Sequence, residues 1–326
     1  MCTTRDKINL KDNLLLHAAL RYDYGKIQSS EYVDWFTSDI ITEEGGSISE
    51  NLQRASSLSR SFNSLVYSAG INYNLNKVQL KANLGKSFRM PIAKELAANG
   101  VNYHYFSYER GNADLSPEQS YQLDLGGIWE GGNWSLELSP FFNYFSNYIY
   151  LNPTSEHDYY YGAGNQVFQY TQSEVMRYGG EVQLGYQLLN NLRTELLGEY
   201  VYARQLSGDK IGYTLPFSPP PSLLLNLTWS PAIMQGLKAT YISIDYRMTD
   251  KQHNIVPPEK KTPGYQVLNV QVGTQALLYK QPVQLSIQAQ NLLNTYYLNH
   301  TSFYRLIELP EAGRNIILSI KTPLSK

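Results

Sequence analysis

The stretch AQNLLNTYYLNHTSFYRLIELPEAGRNIILSIK, residues 289–321, raises the question on which the fold depends. At its end, Ile316, Leu318 and Ile320 occupy every second position, so a strand there carries an apolar row on one face. The residues between them are mostly polar and take the other face. Such a strand needs a partner along its edge, and closing a barrel provides one.

The same alternation recurs from one end of the chain to the other. It is visible in the segments NLLLHAALRYDY, VQLKANLG, WSLELSPFFNYF, GGEVQLGYQL, LRTELLGEYVY and PVQLSIQAQN. Tight turns rich in Gly and Asn alternate with long polar and aromatic loops between the strands. The pattern predicts an all-β antiparallel meander of about twelve strands, with tight turns at one end and long loops at the other. That asymmetry is typical of a transmembrane β-barrel of an outer membrane.

The alternation also predicts which side chains face lipid and which face the barrel lumen. The predicted lipid face carries Leu14, Leu80, Leu136, Leu184, Leu225, Val270 and Leu285. The predicted lumen face carries Glu181, Arg193, Glu195 and Glu199, whose charges need water or another domain as partner. A soluble β-sandwich alternates in the same way, with its apolar face turned to a core. The long strands, and the long loops at one end only, favour the barrel.

Composition agrees with a barrel and excludes several other classes. The 326 residues contain no apolar run of about 20, the length that a membrane helix needs. The 28 tyrosines, against 10 phenylalanines, suit membrane interfaces and exposed binding loops. A net charge of −1 gives no reason to expect a nucleic-acid partner. The single cysteine, Cys2, excludes a disulfide framework and a cysteine-built metal site.

Two ordered motifs carry a resemblance to a known family. Residues 87–120 read SFRMPIAKELAANGVNYHYFSYERGNADLSPEQS, in which S-F-R-x-P and E-L are followed by G-N-x-x-L-x-P-E-x-S. NLLNTYY at 291–297 then precedes P-x-x-G-R at 310–314 and the last strand. The chain resembles the barrel of TonB-dependent outer-membrane receptors over essentially its whole length. Within the first motif, we expect Arg89 and Glu95 to form an ion pair that orders the loop.

The resemblance implies a location, partners and a larger architecture. Receptors of this family have an export signal, an N-terminal plug domain with the TonB box, and a barrel of about twenty-two strands. We therefore expect residues 1–326 to be the C-terminal portion of such a barrel, its second half, in the outer membrane of a Gram-negative bacterium. The expected partners are outer-membrane lipid, a small-molecule or metal-chelate cargo, and the TonB complex through a plug domain absent from this chain. The chain would then be a fragment or the product of a truncated reading frame.

The sequence contains no recognisable catalytic motif. There is no G-x-S-x-G elbow, no H-E-x-x-H, no P-loop and no G-x-G-x-x-G after a strand. The carboxylates are scattered singly, so no acid/base pair is indicated. We therefore expect no enzymatic activity, no catalytic residue and no cofactor.

The candidate ligand-binding residues lie in two predicted external loops. They are Tyr103, His104, Tyr105, Arg110, His157 and Tyr159. Aromatic faces with an arginine nearby suit a flat or anionic chelate, through stacking and charge-assisted hydrogen bonds. Histidine and tyrosine can also ligate ferric iron or haem, whereas long polar loops hold histidines by chance as well. No metal site of the protein itself is assigned.

The resemblance implies nutrient uptake as the function. The expected cargo is a ferric siderophore, haem or another metal complex, with TonB as the source of energy. A glycan- or vitamin-importing receptor of the same fold is an alternative. A surface β adhesin that transports nothing would use the same tyrosine-rich loops. An adhesin's parent protein would be soluble or peripheral, whereas a receptor would need detergent for extraction.

Overall fold

The structure is a computed structural model that describes residues 2–41, 46–158, 164–231, 237–278 and 281–322. Within these ranges a short helix α1 spans Ala93–Ala97 and a 3-10 helix spans Phe303–Ile307. The strands are β1 (Cys2–Lys11), β2 (Leu14–Ser29), β3 (Tyr32–Ile41), β4 (Ser47–Ala55), β5 (Leu58–Leu75), β6 (Val78–Arg89), β7 (Asn99–Asn102), β8 (Ser107–Arg110), β9 (Glu118–Gly131), β10 (Trp134–His157), β11 (Gln166–Leu189), β12 (Leu192–Gln205), β13 (Ser222–Trp229), β14 (Leu237–Thr249), β15 (Tyr265–Leu278), β16 (Gln281–Gln290) and β17 (Asn315–Lys321).

Thirteen of the described strands follow one another in a single antiparallel meander. Their order is β1-β2-β5-β6-β9-β10-β11-β12-β13-β14-β15-β16-β17. Two-residue turns at 76–77, 132–133 and 190–191 join strands at one end. Asn76 and Gly132 adopt positive φ angles of 44° and 59° there, which Asn and Gly accept more readily than other residues. The long loops lie at the other end, so the predicted meander and its asymmetry are confirmed.

The first strand, β1, is an element that the sequence pattern did not indicate. Only Ile8 and Leu10 continue an apolar alternation in a segment that is otherwise polar. The turn at 12–13 nevertheless folds β1 back along β2, with Ile8 opposite Leu16. The meander therefore has thirteen described strands where the sequence predicted about twelve. The long connections from β2 to β5 and from β6 to β9 also contain structure, namely the β3–β4 hairpin in the first and α1, β7 and β8 in the second.

The predicted lipid-facing residues all lie on one face of the meander. Leu136 pairs opposite Leu184, and that row continues through Leu196 to Leu225. Large apolar side chains on this face, including Leu225, remain exposed. The only other sheet among the described residues is the β3–β4 hairpin, which does not cover them. The barrel interpretation is confirmed against the sandwich, because a sandwich would bury this face.

Aromatic side chains flank the apolar face at both ends. Near the tight turns the outward positions are held by Trp129, Trp134, Trp229, and near the long loops by Phe142, Tyr144 and Tyr178. On β10 about ten residues separate the two belts, which is about 33 Å along the strand. At a strand tilt of about 40° this spans about 25 Å, the height of the apolar band of outer-membrane barrels.

The opposite face of the meander is polar, as predicted for a lumen. Glu181 lies directly opposite Glu199 across the β11–β12 ladder. Like charges in this position repel one another, and Arg247 contacts Glu199 at 3.2 Å on the same face. Farther along the wall, Arg193 contacts Glu195 at 2.9 Å.

Strands β10 and β11 are 24 residues long and continue past the aromatic belt toward the long loops. Two small apolar clusters pack beside their extended halves. One contains Phe145, Val175, Ala203 and Leu215, and the other contains Leu96, Leu115 and Ile149. Among the described residues, no helix has the length and apolar character needed to cross a membrane.

Candidate functional site

Arg89, at the end of β6, holds two carboxylates at the base of the long loops. Its Nη1 atom lies 2.9 Å from both oxygens of Glu95 in α1. Its Nη2 atom contacts Glu118 Oε2 at 3.2 Å, and that oxygen accepts a hydrogen bond from the Ile149 amide at 3.0 Å. The predicted Arg89–Glu95 ion pair is confirmed. One guanidinium thus ties α1 and β9, and through Glu118 the neighbouring strand β10.

The segment between β8 and β9 is hydrogen-bonded to the region of α1 through Gly111 and Asn112. The Gly111 amide donates to Ala98 at 2.6 Å, and the Asn112 amide donates to Glu95 at 2.7 Å through backbone carbonyls. A Cβ atom at Gly111 would lie 2.6 Å from the backbone nitrogen of Ala97, so only glycine allows this approach. Arg89 and Glu95 before β7, and Gly111 and Asn112 after β8, therefore fix both ends of the segment that carries β7 and β8.

The hairpin of β7 and β8 presents the first candidate residues. Tyr103 and His104 lie in its turn with exposed side chains. Together with the β3–β4 hairpin and α1 they border an open pocket of about 550 Å³. The two hairpins contact one another there, since Asn99 Nδ2 donates to the carbonyl oxygen of Gln53 at 2.8 Å. The structure thus brings Tyr103 and His104 to one wall of a cavity.

The charged groups of this pocket occur as ion pairs. Lys94 contacts Glu109 at 2.6 Å, and Arg54 contacts Asp34 at 2.7 Å. Both carboxylates are buried, whereas half of the Lys94 side chain is accessible. Asn102 donates a further hydrogen bond to Glu109 at 2.6 Å. The charges of the pocket are therefore paired, with Lys94 as a partly accessible cation beside the exposed Tyr103 and His104.

The other candidate residues are placed elsewhere. Tyr105 turns away from the pocket and stacks on Phe303 at 4.5 Å between ring centroids. Arg110 contacts Glu156 at 2.6 Å, which links β8 to the end of β10. His157 is exposed beside Glu156 at the end of β10. Tyr159 lies outside the described residues. Of the candidates that the structure describes, Tyr103 and His104 are the two that border the open pocket.

An aromatic cluster around Phe303 is a feature that the sequence pattern did not indicate. Phe303 lies in the 3-10 helix and contacts Tyr105, Phe217 at 4.3 Å and Phe168 at 6.1 Å. These rings come from four different loops or strand ends. The four residues are distant in sequence, and none lies in a local pattern that indicates a contact with the others. The cluster could therefore not be predicted from the sequence.

A buried charged group lies next to that cluster. Arg305 Nη2 contacts Glu259 Oε1 at 2.8 Å, and its Nε donates to the carbonyl oxygen of His300 at 3.1 Å. His300 is only 1% exposed, and its Nδ1 is 2.7 Å from Thr262 Oγ1. Burial, and then the positive charge of Arg305, lower the pKa of His300 to about 3. This histidine is therefore neutral and structural, buried within the long loop between β16 and β17.

The histidines do not assemble a metal site in the part of the chain that the structure describes. No group of three or more His, Cys, Asp or Glu side chains there could hold a metal ion. His104, His157 and His253 are exposed and separate, and His300 is buried.

Comparison with known proteins identifies the barrel. The family model for the β-barrel of TonB-dependent receptor-like proteins matches residues 4–292. The chain belongs to the TonB-dependent receptor family. As such a receptor barrel it lies in the outer membrane of a Gram-negative bacterium. The sequence-based assignment of family, fold and location is confirmed.

Solved structures of similar receptors support the same fold. The copper transporter OprC is 20% identical with a TM-score of 0.71, and the match covers 95% of this chain and 45% of OprC. The FrpB iron transporter from Neisseria meningitidis is 15% identical with a TM-score of 0.63, covering 98% and 44%. The ferric-catecholate import receptor Fiu from E. coli K12 is 16% identical with a TM-score of 0.64, covering 98% and 43%. This receptor barrel thus spans less than half the length of each.

Proposed function

We propose that this barrel belongs to a receptor that captures a scarce nutrient at the cell surface and imports it across the outer membrane. A ferric siderophore, haem or another metal complex is the proposed cargo. Uptake is powered by the TonB complex acting through a plug domain, and the protein itself makes or breaks no covalent bond. Family membership supports this proposal, and so does the similarity of the fold to a copper transporter, OprC, an iron transporter, FrpB, and a ferric-catecholate import receptor, Fiu.

The observation that carries the proposal is the open pocket bordered by Tyr103 and His104 on the loop side of the barrel. Its volume of about 550 Å³ lies within the range of small-molecule sites. Tyr103 offers a ring for stacking, and Lys94 at the rim offers a partly accessible cation for an anionic chelate. The pocket is accessible from outside, as first capture requires.

The first prediction concerns cargo capture. In the intact receptor in its outer membrane, the double substitution Tyr103→Ala/His104→Ala should lower uptake of the cargo about tenfold or more at limiting concentration. Loss of one stacking contact and one hydrogen-bonding group, about 1.5 kcal/mol together, accounts for that factor. Uptake of radiolabelled ferric catecholate, haem and copper should be measured in turn, in cells with and without TonB.

Tyr304→Ala is the matched control, because Tyr304 is an exposed external tyrosine that does not border the pocket. It should leave uptake unchanged. Equal uptake by the double variant and the control would move capture away from this pocket. Uptake of each probe that persists without TonB would contradict TonB-powered import. Surface binding of a partner cell without uptake of any probe would favour the adhesin alternative.

A further inference from the structure

A groove opens on the lipid-facing side of the barrel at the loop end of β13, β14 and β15. Its floor is one cross-strand row, in which Leu223 pairs with Met248 and Met248 pairs with Gln266. Leu293, which follows β16, forms a further wall, and the cavity has a volume of about 760 Å³. The groove is separate from the pocket at Tyr103 and His104.

The groove continues the membrane-facing surface of the barrel. The next row toward the tight turns is Leu225, Tyr246 and Leu268, and the row after that is Leu227, Ile244 and Val270. These positions face outward in the same register as the floor of the groove. The lipid that covers the apolar rows therefore also reaches the groove. Since the groove lies toward the long loops, the adjoining leaflet is the outer one.

The fold holds Leu293 in its exposed position. Asn291 takes a positive φ of 46°, and its side chain donates to the carbonyl oxygens of Thr295 at 2.9 Å and Ala312 at 3.2 Å. Its Oδ1 accepts from the Thr295 amide at 2.8 Å. Leu293 nevertheless remains 62% exposed. Leu293 thus adds an exposed apolar side chain to the lining of the groove.

Polar groups close the upper end of the groove. Asp250 and Thr295 border the cavity there, whereas the hydrogen bond that Gln266 accepts from Tyr246 Oη at 2.5 Å lies at the floor, on the side of the tight turns. Tyr296, which follows Thr295, is strongly exposed. Tyrosine at such a level is typical of a membrane–water interface. The groove thus has Leu223, Met248 and Leu293 as its apolar lining and Asp250 and Thr295 at its outer edge.

We propose that this groove seats an acyl chain of an outer-leaflet lipid, with Leu223, Met248 and Leu293 contacting the chain and the polar upper end next to the headgroup. The site is independent of the cargo site. It would hold one lipid in place at the rim of the barrel, beyond the general contact that the remaining apolar face makes with the bilayer.

A spin label tests the environment of the groove in the receptor as it exists in the outer membrane. In a Cys2→Ser background, Leu293→Cys is compared with Ile211→Cys, because Ile211 is equally exposed at 62% and lies outside the groove in the loop after β12. The label at position 293 should collide mainly with dissolved oxygen and should be immobilised. The label at position 211 should collide mainly with a water-soluble nickel chelate. Equal water accessibility at both positions would overturn the proposal.

Retained lipid provides a second measurement that does not depend on the label. The receptor, extracted in mild detergent, should carry one more outer-leaflet lipid per molecule than the variant Leu223→Ser/Leu293→Ser, whereas Ile211→Ser should keep it. Equal lipid content in all three would overturn the proposal. Disulfide-linked dimers formed through the cysteine at position 293 would also overturn it, because a second copy would then occupy the groove.

Discussion

At the scale of single residues, Arg89 joins α1 to β9 at the base of the loops. Arg89→Ala should lower the free energy of unfolding by about 2 kcal/mol, since it leaves Glu95 buried with a single backbone donor and removes a partner of Glu118. The effect should stay below the 3–5 kcal/mol typical of a fully buried pair, because Arg89 is partly exposed. Urea unfolding of the detergent-solubilised receptor measures it.

Arg193→Ala is the control for that substitution. Arg193 also contacts a glutamate, Glu195 at 2.9 Å, but this pair lies on the accessible lumen wall. Its removal should cost less than about 1 kcal/mol. A cost for Arg89→Ala as small as that for Arg193→Ala would mean that the guanidinium does not hold the loops.

His300 predicts a dependence of loop stability on pH. Its pKa is about 3 in the folded protein and about 6.5 in the unfolded chain, so the unfolded state binds the proton more tightly. The stability contribution of the neutral ring is complete above pH 6.5 and is lost progressively as the pH falls from 6.5 toward 3. The thermal midpoint of the receptor, followed from pH 7.5 to pH 4, should fall more steeply than that of His300→Gln. Parallel curves for the two proteins would contradict this assignment.

At the scale of elements, the segment after β8 packs closely against the backbone of α1 at Gly111. Gly111→Ala would place a Cβ atom 2.6 Å from the backbone of Ala97, which cannot move aside as a flexible side chain can. We expect a loss of roughly 2 kcal/mol and faster proteolysis of the β7–β8 segment. Gly127→Ala is the control, because the nearest atom to its Cβ would be Leu80 Cδ2 at an ordinary 3.8 Å. Equal protease resistance in both variants would show that the close approach is not needed.

The faces of the strands could be predicted from the sequence, whereas the contacts between loops could not. The period of two placed Leu136, Leu184 and Leu225 on the correct face, because in a strand that period alone decides the side of the sheet. The stacking of Tyr105 on Phe303 was not predictable, since it depends on how two loops distant in sequence dock. The candidate site was predicted in part for the same reason. The tip residues Tyr103 and His104 could be found, whereas the ion pairs behind them could not.

At the scale of the whole molecule, the neighbouring residues Leu224 and Leu225 test which face of the meander is turned to lipid. Leu225 faces lipid, whereas Leu224 borders a lumen cavity with Glu137, Glu181 and Glu199. Leu225→Lys should cost about 2–4 kcal/mol and reduce the folded receptor in the outer membrane. Leu224→Lys places its charge among carboxylates and should be tolerated. The heat-modifiable folded band on gels of outer-membrane fractions measures both, and the reverse ranking would mean that the faces are assigned the wrong way round.

The length of β10 and β11 has a consequence for what can approach the receptor. Twenty-four residues extend about 80 Å, or about 60 Å along the membrane normal at a tilt of about 40°. The apolar band takes up about 25 Å of that height, so roughly 35 Å of paired strand stands above the bilayer. The outermost hairpins are thereby raised about the height of a small folded domain. A folded macromolecule of that size can therefore contact these strand ends without touching the lipid surface.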